Sequence, residues 1–202
     1  MSIKALLLDA DGVVVLPHQF ARYLESEHGI SIDTTLSFFK GNFQECLVGR
    51  ADLRGTLAPL VPAWGWRGST EEFIAAWLET SSLVDERILE VVRALRRAGL
   101  SCGLASNQER IRAQFMRTQM GFVSEFDDLF FSCDVGHRKP EREYYSHVAA
   151  SLGLTGEEIL FWDDDSTHVE AARECGWHAE RYVCFEAFQE RLTTLLSAMP
   201  RP

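Results

Sequence analysis

The chain has 202 residues, of which 46% are hydrophobic and 11% aromatic, so it can bury a core and is not expected to be disordered. Thirty acidic residues against twenty basic ones give a formal net charge of -10, which disfavours binding to nucleic acid or to an anionic membrane surface. An anionic small molecule would therefore need a local positive site.

Three further features narrow the class of protein. The five cysteines are scattered and form no C-x-x-C pair, which argues against a disulfide framework or a zinc cluster. Arg93, Arg96 and Arg97 are expected on one solvated helix face rather than in a nucleic-acid site. The first residues hold only a short apolar stretch before a charge, which predicts neither a signal peptide nor a membrane span. A cytoplasmic location is expected.

Short apolar runs predict five strands that are buried on both faces of a sheet. These runs cover residues 3–8, 100–105, 129–132, 159–162 and 178–183. Apolar residues at helical spacing separate the later runs, over residues 88–95, 109–120, 140–152 and 167–175. Because strands and helices alternate, we expect right-handed crossovers and a doubly wound α/β domain with a parallel, Rossmann-like sheet.

Residues 16–85 interrupt this alternation, since they contain amphipathic helical segments and no convincing strand. Ser69 and Glu72 have the spacing of a capping box that opens the last of these helices. The sequence therefore predicts an α/β core made of residues 1–15 and 86–202, with a helical insertion between them.

Candidate site residues follow the predicted strands, because open α/β sheets bind ligands beyond the carboxyl ends of their strands. These residues are Asp9, Asp11, Ser106, Asn107, Lys139, Asp163, Asp164 and Asp165. Each group alone is also typical of a turn, a helix cap or a solvated side chain. Their recurrence at four strand ends favours one crevice that gathers carboxylates, a hydroxyl and an ammonium group.

These residues resemble the four motifs of the haloacid dehalogenase-like hydrolase superfamily, across nearly the whole chain. Asp9-Ala-Asp-Gly-Val resembles the first motif, Ser106-Asn the second and Gly136-His-Arg-Lys139-Pro the third. The fourth motif and the helix after it are matched by Phe161-Trp-Asp163-Asp164, followed by Val169-Glu-Ala-Ala and Gly176-Trp. Residues 16–85, which we call the cap, look like the small helical cap of the branch that contains glucose-1-phosphatase-like sugar phosphatases.

The resemblance implies a catalytic role for each matching residue. Asp9 would be the nucleophile and Asp11 the general acid and base. Ser106 and the main-chain N–H of Asn107 would hold the phosphate, while Lys139 would orient Asp9 and offset negative charge. Asp11 follows Asp9 by two residues, so strand alternation would place both side chains on the same side.

The resemblance also implies a magnesium site. Asp9, the carbonyl of Asp11 and Asp164 would bind Mg²⁺ directly, with Asp163 in an outer shell. Three carboxylates and a phosphate dianion bring roughly five negative charges together against one lysine, so a divalent cation is required. Asp165 departs from the relatives, which often carry Asn or Ser at this helix cap.

The predicted function is magnesium-dependent hydrolysis of a small phosphate monoester, such as a sugar phosphate, through an aspartyl phosphate on Asp9. A dehalogenase on the same fold needs no metal and lacks the second acid of the first motif, so Asp11 and Asp164 favour phosphate. A phosphomutase with the same set of residues remains an alternative function. A non-catalytic binding protein is a further alternative, but it would not need these residues, and all of them are present. The expected partner is a small phosphorylated metabolite, and the oligomeric state is open.

The cap is expected to select the substrate, since a lid can exclude water and complete a site on closure. Candidate contacts are His18, Gln19, Asn42, Phe43 and Arg50, with Arg50 or Asn42 meeting a polar leaving group. Alternatively, Phe43 packs inside the cap and Arg50 is solvated.

Overall fold

The structure, a computed structural model, describes residues 3–17 and 19–197 and has a parallel β-sheet at its centre. The strands are β1 (Ala5–Leu8), β2 (Ser101–Ser106), β3 (Asp128–Phe131), β4 (Ile159–Asp163) and β5 (His178–Arg181). They pair in the order β3-β2-β1-β4-β5, with β1 in the middle. Because Leu8 pairs with both Leu104 and Trp162, the chain leaves β1, β2 and β4 at one edge of the sheet.

The described residues of the cap form six helices, which pack around an apolar cluster of their own. They are α1 (Phe20–His28), α2 (Ile32–Lys40), α3 (Phe43–Leu47), α4 (Leu53–Leu57), α5 (Leu60–Ala63) and α6 (Thr70–Glu79). The predicted capping box is confirmed, since Ser69 Oγ accepts the Glu72 N–H and the Glu72 carboxylate accepts the Ser69 N–H. Buried aromatic rings fill the centre, with Phe20 and Phe73 edge to face at 5.2 Å.

The remaining helices cover both faces of the sheet. They are α7 (Glu86–Arg97), α8 (Arg110–Thr118), α9 (Phe122–Glu125), α10 (Ser132–Val135), α11 (Arg142–Leu152), α12 (Ser166–Glu174) and α13 (Phe185–Ser197). Leu6 and Leu8 pack with apolar side chains of α7, α8 and α13, whereas Leu7 packs with those of α11 and α12. Successive residues of β1 therefore face opposite layers, and the predicted doubly wound α/β fold is confirmed.

Two chain segments connect the cap to the sheet, and they lie side by side. Val15 forms an antiparallel bridge with Val84, and the Leu16 N–H donates to the Leu83 carbonyl at 2.8 Å. The helices α1 to α6 lie between these two segments. The domain boundaries drawn from the sequence stay a prediction.

The arginine-rich face of α7 makes contacts that the sequence did not predict. Arg93 donates two hydrogen bonds of 2.7 Å to the carboxylate of Glu125, and Arg96 binds Asp127 at 2.8 Å. Both acids come from the segment around α9, which is distant in sequence. Both arginine side chains stay partly exposed, at 38% and 30%, so this helix face is partly solvated as expected and also forms tertiary ion pairs.

Other features agree with the sequence or stay open. The five cysteines are free, and three of them are buried, as expected of incidental thiols. In the described part of the chain, no helix has the length and apolar character needed to cross a bilayer. The cytoplasmic location stays a prediction. Helix α13 had no predicted counterpart.

Candidate active site

Asp9 and Asp11 lie just beyond β1, at the edge of the sheet where β2 and β4 also end. The Asp9 N–H donates to the Trp162 carbonyl at 2.8 Å, which keeps Asp9 in register with β4. The strand ends before Asp9, and Gly12 then takes a φ of +82°, which favours glycine. A tight turn, rather than strand alternation, therefore brings both carboxylates to one cleft.

Lys139 lies between two carboxylates in the protein interior. Its Nζ is 3.0 Å from Asp9 Oδ1 and 2.5 Å from Asp163 Oδ2, and its side chain is 0% exposed. Removing one partner of such a buried pair costs about 3–5 kcal/mol, because the other charge is left uncompensated. The alternative interpretation of Lys139 as a solvated lysine was wrong.

Two buried carboxylates share one ammonium group, and their pKa values shift in opposite directions. Burial raises the pKa of Asp9 to about 7, although Lys139 and a hydrogen bond from Ser106 oppose this rise. Burial also acts to raise the pKa of Asp163, but Lys139 and His168 outweigh it and hold that pKa well below its usual range. The shorter contact of Lys139 is the one to Asp163, and both carboxylates act to raise the pKa of Lys139.

Asn107 orients the loop that carries Lys139. Its Nδ2 donates to the Lys139 carbonyl and its Oδ1 accepts the Lys139 N–H, both at 2.8 Å. Ser106, the last residue of β2, is buried and its Oγ accepts a hydrogen bond of 3.0 Å from Gln108 Nε2. The side chain of Asn107 is therefore engaged by the Lys139 main chain, which leaves its main-chain N–H for the predicted phosphate contact.

Two residues that the sequence did not single out hold the Asp11 carboxylate. Gln108 Nε2 donates to Asp11 Oδ2 at 2.7 Å, and Arg112 Nη2 donates to Asp11 Oδ1 at 2.8 Å. Both donors are buried, the neutral amide of Gln108 as well as the charged guanidinium of Arg112. A signal was available, because Arg112 shares the buried face of α8 with Ala113 and Met116, where apolar residues are the norm.

Asp164 approaches the turn after β1, and Gly12 makes this approach possible. A β-carbon added to Gly12 would lie 2.3 Å from Asp164 Oδ2, far inside van der Waals contact. The Asp164 carboxylate therefore packs against the main chain of the Asp11 to Gly12 segment. Asp164 itself is exposed, so the carboxylate is open to the cleft.

The cleft at this edge of the sheet has a volume of about 390 Å³. It is lined by Asp9, Asp11, Gly12, Pro17, Ser106, Asn107, Asp164, Asp165 and His168. Asp163 and Lys139 lie fully buried next to it. The structure therefore places every predicted site residue in or beside one cleft. It adds His168, whose Nδ1 lies 3.1 Å from Asp163 Oδ2. Asp165 caps α12 by accepting the Thr167 N–H at 2.7 Å.

The carboxylates differ in how well they can hold a cation. One ligand atom from each of Asp9, Asp163 and His168 lies within 4.8 Å of the others. Both oxygens of Asp163 already accept hydrogen bonds, which suits an outer-shell position. Asp9 and Asp164 both line the cleft. Such oxygen donors fit a hard cation such as Mg²⁺.

The predicted substrate contacts in the cap are less well placed. Phe43 packs against Phe38 and Trp77, at centroid distances of 5.7 and 5.9 Å, so it belongs to the interior of the cap. Arg50 is 62% exposed and lies 3.8 Å from Glu45. His18 lies outside the described residues. Gln19, Asn42, Phe43 and Arg50 are all missing from the described lining of the cleft.

Comparison with known proteins gives relatives of partial sequence identity. Bifunctional epoxide hydrolase 2 of Mus musculus is 24% identical over 198 residues, covering 87% of this chain. The chain spans only about a third, 36%, of that relative's length. D-ribitol-5-phosphate phosphatase of Bacteroides thetaiotaomicron is 24% identical over 205 residues, covering 97% of this chain and 100% of the relative.

Solved structures share the fold. A HAD family enzyme from Bacteroides thetaiotaomicron, in complex with magnesium and inorganic phosphate, superimposes with a TM-score of 0.76 at 21% identity. That superposition covers 89% of this chain and 94% of the other. A family model described as haloacid dehalogenase-like hydrolase matches residues 3–176. Since this match spans most of the chain, the protein belongs to the haloacid dehalogenase-like hydrolase family.

Proposed function

We propose that the chain is a magnesium-dependent phosphatase that hydrolyses a small phosphate monoester through a covalent phosphate on Asp9. The observation that carries this proposal is the buried contact of Lys139 with Asp9, which lines a cleft also lined by Asp11, Ser106 and Asp164. Two comparisons support it, one with a ribitol-phosphate phosphatase and one with a structure that holds magnesium and phosphate.

Asp9 is held in position to attack phosphorus. Its Oδ1 accepts the Ala10 N–H at 2.7 Å and contacts Lys139 Nζ at 3.0 Å, so the carboxylate is fixed by one oxygen. The other oxygen forms the bond to phosphorus, and the bond from phosphorus to the leaving oxygen breaks. A carboxylate nucleophile thereby splits a difficult hydrolysis into two easier steps.

The phosphate needs donors and a positive charge. Ser106 Oγ and the main-chain N–H of Asn107 would donate to phosphate oxygens at the end of β2. Lys139 supplies a fixed positive charge beside the nucleophile, and such preorganised charges act strongly in a site of low dielectric. Asn107 keeps that charge in place through its two hydrogen bonds to the Lys139 main chain.

Asp11 would move the protons. It donates a proton to the leaving alcohol oxygen in the first step, and in the second it accepts a proton from the water that attacks the aspartyl phosphate. General acid–base catalysis of this kind contributes about 10²- to 10⁴-fold. Asp11 lines the cleft together with Asp9, so both reach one substrate.

Mg²⁺ would be held by Asp9, the carbonyl oxygen of Asp11 and Asp164, with Asp163 supporting the site from behind. The close approach of Asp164 to Gly12 supports this set, because it brings the carboxylate beside the Asp11 to Gly12 main chain. When bound, the cation offsets the repulsion between the carboxylates and the phosphate dianion.

The test is hydrolysis of a panel of sugar and polyol phosphates, including D-ribitol 5-phosphate, by the purified chain. We expect inorganic phosphate release that requires Mg²⁺ and stops with a chelator. The isosteric variant Asp9→Asn serves as the matched control and should be inactive. Phosphate release that is unaffected by the chelator, or its absence across the whole panel, would contradict the proposal.

A further inference from the structure

Arg112 is a buried charged residue that contacts both the core and the cap. Its Nη2 donates to Asp11 Oδ1 at 2.8 Å and to the Ser81 carbonyl at 2.7 Å, and its side chain is 1% exposed. Its guanidinium also lies 5.9 Å from the ring centre of Trp77 on α6. One nitrogen atom therefore bridges the Asp11 carboxylate and the chain segment that leaves the cap.

The buried contacts of Arg112 are not well suited to stabilising the fold alone. Among the described residues, Arg112 Nε and Nη1 are buried without a hydrogen-bond acceptor, and the hydroxyl of Ser81 is in the same condition. Buried donors without acceptors cost free energy, and replacing a buried ion pair by apolar side chains is often neutral or stabilising. The arginine therefore calls for an explanation other than stability.

Gln108 provides the second half of the restraint on Asp11. Its Nε2 donates to Asp11 Oδ2 at 2.7 Å and to Ser106 Oγ at 3.0 Å. The two Asp11 oxygens are thus held by side chains four residues apart, one just before α8 and the other within it. One donor on each oxygen fixes the rotation of the carboxylate as well as its position.

We propose that Arg112 is a positioning residue that orients the acid–base carboxylate of Asp11 and ties this orientation to the placement of the cap. This inference rests on the proposed phosphatase function. Arg112 acts through Asp11, because its buried guanidinium is not part of the cleft lining. Movement of the Ser81 segment relative to α8 changes one of the two acceptors of Arg112 Nη2, and so changes the restraint on Asp11.

The leaving group of the substrate separates this role from a structural one. An alkyl phosphate needs a proton on its leaving oxygen, whereas p-nitrophenyl phosphate releases a stable phenolate without one. The measured quantity is kcat/KM, because it covers the steps up to departure of the alcohol. We expect Arg112→Met to lower kcat/KM about tenfold or more for the alkyl ester, but less than about threefold for the aryl ester.

A double-mutant comparison identifies the route of the effect. If Arg112 acts through Asp11, then Asp11→Asn with Arg112→Met should be no slower on the alkyl ester than Asp11→Asn alone. Arg112→Lys keeps the charge but has a single donor nitrogen, so it should restore part of the alkyl activity. If Arg112→Met does not fold, Arg112→Lys can be compared with the parent on the same two esters.

Arg110→Met is the matched control, because Arg110 also lies on α8 and donates to a cap carbonyl, that of Gly49 at 3.1 Å. It has no contact with Asp11 in the described structure, so we expect no dependence on the leaving group. Equal losses of Arg112→Met on both esters, or multiplicative losses in the double variant, would overturn this inference alone. Failure of the parent protein to hydrolyse either ester would instead overturn the proposed function.

Discussion

Lys139 shows how one residue can decide the electrostatics of the site. A single ammonium group contacts Asp9 at 3.0 Å and Asp163 at 2.5 Å without exposure to water. The pKa of Lys139 is raised, because the two carboxylates outweigh burial, which alone would lower it. Since Asp163 is also supported by His168, the lysine can offset charge on Asp9 during the reaction without leaving Asp163 unpaired.

Gly12 gives the sharpest residue-level prediction. We expect Gly12→Ala to weaken magnesium binding about tenfold or more, the usual effect of displacing a group that positions a ligand. The physical reason is that the new β-carbon would lie 2.3 Å from Asp164 Oδ2 and push this carboxylate away. Magnesium titration calorimetry and the Mg²⁺ dependence of phosphate release measure this effect.

Gly99→Ala is the control for the backbone strain in Gly12→Ala. Gly99 has a similar φ of +89°, but a β-carbon there meets nothing within 4 Å. Each variant should lose about 1–2 kcal/mol of stability from the left-handed conformation. Only Gly12→Ala should change the affinity for magnesium, and an equal change in both variants would refute this account of Asp164.

The residues that carry chemistry were predictable because they follow strands in an open α/β sheet. Asp9, Ser106 and Asp164 could be placed at one sheet edge from the order of the apolar runs alone. Gln108 could not, because polar residues after a strand are usually solvated or cap a helix, and Arg112 left only the signal of its place beside apolar residues of α8. Their burial depends on contacts with Asp11 and Ser81, which lie in distant parts of the sequence.

At the scale of secondary structure, α7 illustrates how a helix is fixed at the junction with the cap. Asp85 caps this helix by accepting the Arg87 N–H at 3.1 Å, and its carboxylate also accepts two hydrogen bonds from the Arg87 guanidinium. These hydrogen bonds hold the pKa of Asp85 below its ordinary value of 3.8. The charge on Asp85 is therefore part of what stabilises the start of α7.

Asp85→Asn tests this contribution through its pH dependence. Asparagine caps a helix about as well as aspartate, so the substitution removes mainly the charge. Because the folded-state pKa is lowered, the stabilisation is fully present above the unfolded-state value and is lost as the pH falls through the folded-state value. In denaturant titrations, the variant should be less stable than the parent at pH 7. The difference should shrink below about pH 4, and a constant difference down to pH 3 would contradict this account.

Element boundaries were predictable to the extent that local patterns determine them. The strand expected over residues 159–162 is β4, and the helix expected over 88–95 lies within α7. The ion pairs of Arg93 and Arg96 were not predictable, since their partners are about thirty positions away in the chain. Helix α13 was missed although Phe188 and Leu192 have helical spacing.

At the scale of the whole molecule, the core and the cap serve different parts of the proposed reaction. The sheet edge gathers the groups that handle phosphate and metal, and the cap reaches them through Ser81, Gly49 and Leu47. The Leu47 carbonyl accepts the buried Ser132 hydroxyl at 2.6 Å. The family could be inferred from motifs because the chemistry fixes those residues. The substrate could not, because its contacts depend on how the cap sits over the cleft.

The central claim, that Asp9 carries a covalent phosphate, has a direct measurement. The protein is mixed with Mg²⁺ and a phosphate ester that it hydrolyses, quenched in acid during turnover, and digested for peptide mass spectrometry. We expect one phosphate on the peptide that contains Asp9, and none in the Asp9→Asn variant. Turnover with the phosphate on another residue, or with no phosphorylated peptide at any quench time, would contradict the claim.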